Sequence, residues 1–137
     1  MTIVDANVIF KLIAKEEHSE KTRKIFLQKT SMGEPIETPD IAVSEVLNAL
    51  WKSYVLKKSM SLASFEYATK QLDRIIAQLD LIPTSELKDI ALKISVEKRI
   101  PVYDSMYIAA SILRGSPLLS YDGELIEKAS QLGVRLE

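Results

Sequence analysis

Four carboxylates stand where regular elements would start or stop: Asp5 in TIVDANV, Glu45 in DIAVSEVLNAL, Asp104 in PVYDSMYIAAS and Asp122 in PLLSYDG. None has a cationic neighbour in sequence. Acids gathered at strand ends and helix starts without such partners can share one site only if a divalent cation offsets their repulsion. The pattern therefore points to chemistry around a bound divalent ion.

Other chemistries lack their parts. With His18 as the lone histidine, neither a base-and-acid histidine pair nor a zinc site built on several histidines can be assembled. Serine triads fail for want of a base. The absence of cysteine removes thiolate nucleophiles, disulfides and Cys-ligated zinc, which fits a reducing cytosol. Gly33, Gly115, Gly123 and Gly133 form neither a phosphate-cradling loop nor a dinucleotide fingerprint. A phosphoaspartate phosphatase would carry Asp-x-Asp after its first strand, and Asn7 occupies the second position.

The elements that must carry the acids follow from periodicity. Thr2-Ile3-Val4 is a β-branched run that stops at Asp5 and feeds a helix from Ala6 to Ile13. A charged amphipathic stretch from His18 to Lys29 places Thr22, Ile25, Phe26 and Lys29 at helical spacing, and His18 is read as a solvated residue of it. Ile36-Glu37-Thr38 is a short extended segment. From Asp40, a plausible cap, to about Lys57, the positions Val43, Val46, Leu47, Leu50, Trp51 and Tyr54 repeat at three and four residues. Leu62 to Leu79 repeats the pattern, so two long helices form a hairpin. Leu81-Ile82 is a very short strand, and Pro83 opens a helix to about Lys98. The mostly apolar helix Asp104 to Leu113 stops at Gly115, Pro117 to Ser120 is a strand, and a helix from Asp122-Gly123 ends at Gly133 before a last edge strand, Val134 to Leu136.

Strand and helix alternate at both ends of the chain, which predicts an α/β fold: a three-layer α/β/α sandwich with a mainly parallel central sheet. In such sheets ligands bind beyond the carboxyl ends of the strands, where the strand order reverses. Asp5 and Asp122 each follow a strand. Structural readings stand beside the functional one: Asp5 and Asp104 could cap helices, and Asp122-Gly123 is an ordinary turn dipeptide. Yet Asp104 sits on a helix with hardly any polar side, where an unpaired carboxylate is costly. Glu45 points away from the Val43, Leu47, Leu50, Tyr54 stripe, towards Asn48 and Lys52, as on a solvated face.

The 137 residues, 47% hydrophobic, suit one compact domain over 1–137. Lys+Arg 18 against Asp+Glu 19 gives a net charge of -1, so no overall basic field draws in a polyanion. No apolar run approaches a membrane span, and the chain enters a strand rather than a leader, so a soluble cytoplasmic protein is the expectation.

Together, the VDAN opening, the TPDIAVSEVLNAL helix, the YDSMYIAAS helix and the LLSYD strand end resemble PIN-domain ribonucleases, most closely the VapC-type toxins of toxin-antitoxin pairs. Order, spacing and length match across essentially the whole chain. The resemblance implies a Mg2+- or Mn2+-dependent endoribonuclease in which Asp5, Glu45, Asp104 and Asp122 are the metal-binding catalytic acids. Asp5 and Asp104 would be the principal ligands. Asn7 and Ser120, the latter standing where many members carry Thr, would support them by hydrogen bonding. It also implies a helical hairpin clip over residues 40–79, a cognate antitoxin whose tail crosses the acidic pocket, and a homodimer.

An RNA substrate would need local cations, for which Lys11, Lys15, Arg23 and Lys24 are candidates, while Trp51, Tyr54 and Tyr67 are read as interface residues in preference to base-stacking ones. Two other readings remain: a PIN scaffold that binds RNA or protein without cutting, and a metal-dependent DNA nuclease. Metal-dependent cleavage that vanishes in Asp104→Asn separates the first; a comparison of RNA with single-stranded and flapped DNA separates the second.

Overall fold

The computed structural model describes residues 1–137. The run Thr2, Ile3 and Val4 forms β1 (Thr2–Val4), buried throughout, as a central parallel strand covered on both faces requires. After it come α1 (Ala6–Ile13), α2 (Ser19–Ser31), β2 (Ile36–Pro39) and α3 (Ile41–Trp51). A π-helical turn over Lys52–Leu56 prolongs α3, and α4 (Leu62–Ile76) returns alongside α1. The chain continues through β3 (Asp80–Ile82), α5 (Thr84–Lys98), α6 (Val102–Arg114), β4 (Leu118–Leu119) and α7 (Gly123–Gln131).

The sheet order is β3-β2-β1-β4 and all three pairings are parallel. Steps from β1 to β2 and from β2 to β3 run one way across the sheet, and the step from β3 to β4 runs back. Right-handed crossovers therefore put α1 to α4 on one face and α5 and α6 on the other. The packing agrees: α1 touches α2, α3 and α4, while α6 lies on α5, β1, β2 and β4. The three-layer sandwich and the hairpin of α3 and α4 are thus as expected. Thirty-one buried apolar residues form one continuous cluster on both sides of the sheet, with Ile3, Ile108 and Leu118 fully buried.

Several local expectations change. The last edge strand shrinks to a single parallel bridge from Leu136 to Leu118. Helix α6 starts at Val102, with Pro101 before it, so Asp104 lies inside the first turn and is not its cap. Gly115 ends that helix with φ 64°, a left-handed conformation that glycine adopts without a Cβ penalty. Asp40 does not cap α3; its Oδ1 accepts a 2.6 Å hydrogen bond from Thr84 Oγ1 instead. His18 is exposed, as expected, but it precedes α2 in a left-handed conformation with its ring stacked on Tyr121 at 4.8 Å, so it stands before the helix and not within it.

The buried stripe of α3 is also turned from the one read in sequence. Ala42, Val46 and Leu50 are buried, while Leu47 is 51% exposed. Successive residues of a helix point about 100° apart, so Glu45 lies on the flank of this stripe, one turn before half-buried Ala49, and the same rotation leaves it half-buried instead of on the outer face. Small Ala42 had concealed the true stripe behind larger neighbours.

Candidate functional site

Chain leaves β1 towards one face and β4 towards the other, and these strands are neighbours. Their carboxyl ends make the switch point of the sheet, and Asp5 and Asp122 follow them there. Asp5 caps α1, its Oδ1 accepting from the Val8 N–H at 2.9 Å, and Asp122 caps α7, its Oδ1 accepting from the Glu124 and Leu125 N–H groups. The structural and the site reading of each residue are therefore compatible: the cap engages Oδ1 alone, which leaves Oδ2 of Asp122 free, while Oδ2 of Asp5 keeps a lone pair beyond the one bond it accepts from Ser120.

Glu45 reaches this crevice from α3 and Asp104 from α6. The four acids line one small cleft together with Ala6, Asn7, Tyr107 and Leu125. Asn7 is exposed at its edge. Ser120 sits beneath: its hydroxyl donates a short hydrogen bond to Asp5 Oδ2 and accepts one from the Asp122 N–H at 3.0 Å. One hydroxyl thus ties the two strand-end acids together. Tyr107, one turn beyond Asp104, donates a 2.6 Å hydrogen bond to Glu45 Oε1.

Electrostatics record the crowding. Burial holds the Asp5 carboxyl above its usual 3.8, against the lowering effect of Ser120 and the Val8 amide, and the charge of Asp122 adds to the rise. Glu45 is raised by burial and by Asp104 and Asp5, with Tyr107 opposing. Asp104 is raised by burial, then by Asp122 and Glu124, and no donor offsets it. The Tyr107 hydroxyl lies far above its ordinary 10.0 because it is buried beside Glu45. Proteins rarely gather acids at such a cost without a cation to be held.

The donor set, carboxylate oxygens with an amide and a hydroxyl, suits a hard divalent ion. No three of these side chains form a ready-made ligand cluster. Repulsion between bare carboxylates favours that spacing, and Mg2+ keeps several waters that can span it.

Two participants escaped the sequence reading. Tyr107 belongs to the D-x-x-Y pattern of α6 but carried no assigned role; its spacing of three from Asp104 was the available signal. Glu124, in the first turn of α7, adds a fifth negative charge near Asp104. Among the cations proposed for RNA, Lys11 is only 12% exposed and is held by Glu16 at 2.7 Å, and neither it nor Lys15, Arg23 or Lys24 lines the cleft. Tyr54 stacks on Phe65 with ring centroids 4.5 Å apart and so closes the α3 and α4 hairpin from within, whereas Trp51 and Tyr67 are exposed.

Comparison with known proteins gives concordant results. Ribonuclease VapC3 of Pyrobaculum aerophilum is 29% identical over 129 residues, covering 92% of either chain. The crystal structure of PAE2754 from Pyrobaculum aerophilum superposes with a TM-score of 0.71 at 23% identity, covering 93% of this chain and 78% of that one. That of VapBC2 from Rickettsia felis, bound to a DNA fragment from their promoter, gives 0.73 at 15% identity, with 99% and 96% covered. At those identities the two structures speak for the fold. Residues 2–131 match the PIN domain as a family. Matched over nearly its whole length, this chain belongs to the PIN domain family.

Proposed function

We propose that this protein is a single-domain endoribonuclease that hydrolyses RNA phosphodiester bonds with a divalent metal, Mg2+ or Mn2+, and that it is the toxin of a VapBC-type toxin-antitoxin pair acting in the cytoplasm. The observation that carries this reading is the cleft itself: Asp5, Glu45, Asp104 and Asp122 come from four separate elements and line one crevice at the switch point of the sheet. The 29% identity to Ribonuclease VapC3 favours RNA as substrate.

These four carboxylates would hold the ion, with Asp5 and Asp104 as its main ligands. When bound, it supplies a counter-charge for the scissile phosphate and an acidified water. The protein does the rest. Ser120 fixes the Asp5 carboxylate, and Asn7 at the rim offers an amide N–H to a phosphate oxygen. Glu45, whose proton affinity is raised by burial and by its acidic neighbours, accepts the proton of the attacking water. The water oxygen bonds to phosphorus, the P–O bond to the leaving ribose oxygen breaks, and that oxygen takes a proton from solvent.

Leu47, Trp51, Val55, Leu56, Leu62 and Tyr67 are large apolar residues left exposed on the hairpin and its π turn. Such a surface supports contact with an antitoxin and with a second copy of the chain.

The test uses purified protein and an end-labelled RNA. Cleavage with Mg2+ or Mn2+, its loss with EDTA and its loss in Asp104→Asn are expected, with single-stranded and flapped DNA left intact. Cutting that persists in Asp104→Asn, or no cutting with any divalent ion, would overturn the reading.

A further inference from the structure

Beyond the acidic cleft lies a larger groove with which it shares Ala6, Asn7 and Glu45. It has a volume of about 360 Å³ and continues along α3 past Asn48 and Ala49 to Lys52, Ser53 and Lys57. That is within the size range of pockets that seat small molecules. Phe10 contributes an apolar wall, flanked by the small Ala6 and Ala49, and the remaining side chains are polar.

The charges along it change sign. At the inner end are the site acids. At the outer end, Lys52 and Lys57 are exposed and take part in no ion pair. The groove's other acid, Glu16, is already neutralised by Lys11 at 2.7 Å.

The backbone explains why these two lysines share one groove. In an α-helix, residues five apart point about 140° away from each other. Here the Lys57 N–H donates to the Lys52 carbonyl at 2.8 Å, the five-residue closure of a π turn, which stacks the two positions. Such turns are rare and tend to occur at functional sites.

We propose that this groove seats the stretch of single-stranded RNA next to the scissile phosphate, with Lys52 and Lys57 contacting the neighbouring backbone phosphates and Asn48 facing the sugar or base. The inference rests on the ribonuclease reading and names how that site holds its substrate. A phosphate at the acids depends on a cation, whereas a phosphate one step along meets lysine directly. A strand laid this way has a fixed direction across the cleft. The earlier candidates Lys11, Lys15, Arg23 and Lys24 line no part of the groove.

The experiment measures binding of a fluorescent single-stranded oligoribonucleotide by anisotropy in Mg2+ buffer. All variants carry Asp104→Asn, so that nothing is cut. Adding Lys52→Ala and Lys57→Ala should raise Kd about tenfold, and the slope of log K against log salt should flatten by about 1.4, or about 0.7 per lost phosphate contact. Lys52→Arg with Lys57→Arg should restore the slope, and Lys93→Ala, outside the groove, should leave it alone. In the cleaving protein the double alanine change should raise KM more than it lowers kcat. An unaltered Kd and salt slope in the double variant, beside an Asp104-containing protein that cuts RNA, would overturn this inference alone; a protein that never cuts RNA would remove the reading beneath it.

Discussion

The Tyr107 hydroxyl donates a 2.6 Å hydrogen bond to Glu45 Oε1, joining α6 on one face of the sheet to α3 on the other. Because this bond favours the charged carboxylate, its loss raises the affinity of Glu45 for a proton. Tyr107→Phe should therefore shift the acidic limb of the pH-rate profile upwards, lower kcat about tenfold and cost about 1.5–3 kcal/mol of stability, the range for a charged hydrogen bond. A profile measured from pH 5 to 9 beside a thermal melt checks both effects, and an unmoved acidic limb would separate Glu45 from proton transfer.

Asp104 has no donor to compensate its burial, so its charge opposes folding when no metal is bound. Its folded-state pKa lies above the usual 3.8. The sign is then fixed: the penalty is absent below the unfolded value and grows as pH rises through the folded one. In EDTA, Asp104→Asn should be more stable than wild type at pH 7 by about 0.5–1 kcal/mol, with the gap closing as the acid protonates towards pH 4. Melting curves over that range give the answer; a variant that melts earlier at pH 7 contradicts it.

Adding metal should reverse this order. A ligand that binds only the folded state at a hundred times its Kd stabilises it by about 2.7 kcal/mol. Mg2+ or Mn2+ should raise the Tm of wild type and leave Asp104→Asn nearly unmoved. Equal shifts in both proteins would mean that the ion binds elsewhere.

Ser120 serves two acids through one oxygen. Ser120→Ala should lower kcat about tenfold while leaving the Asp5 charge less supported, and Ser120→Thr, which keeps the hydroxyl, should retain most activity. Single-turnover cleavage by the two variants distinguishes a hydrogen-bonding role from simple packing, since alanine removes the hydroxyl with little change of volume whereas threonine changes the volume but keeps the hydroxyl.

Much of this architecture was legible because it is written locally. Thr2-Ile3-Val4 can scarcely be anything but a buried strand, Gly115 stops α6 at the expected point, and strand-helix alternation dictates parallel pairing. The acids Asp5 and Asp122 could be placed because a strand end is a local feature. Glu45 was harder. Its orientation depends on which residues of α3 meet α1, and small Ala42 and Ala49 are quieter signals than Leu47 and Trp51, which stay exposed. Tyr107 was opaque for a related reason: its partner lies 62 positions away, and no periodicity reports a pairing between opposite layers. The five-residue closure from Lys52 to Lys57 was likewise invisible, since propensity does not separate a π turn from a continuing α-helix.

Glu45 and Asp104 are carried by helices from opposite sides of the sheet, so the proposed reactive centre is a seam, and Tyr107 is its clasp. Seams part before the cloth tears. Mild urea that lets α3 slip from α6 would scatter the acids while β1 and its neighbours stay intact, and cleavage should be lost at lower denaturant than the far-ultraviolet circular dichroism signal. A cell would then possess a way to silence this protein short of destroying it: anything that pries the two helices apart.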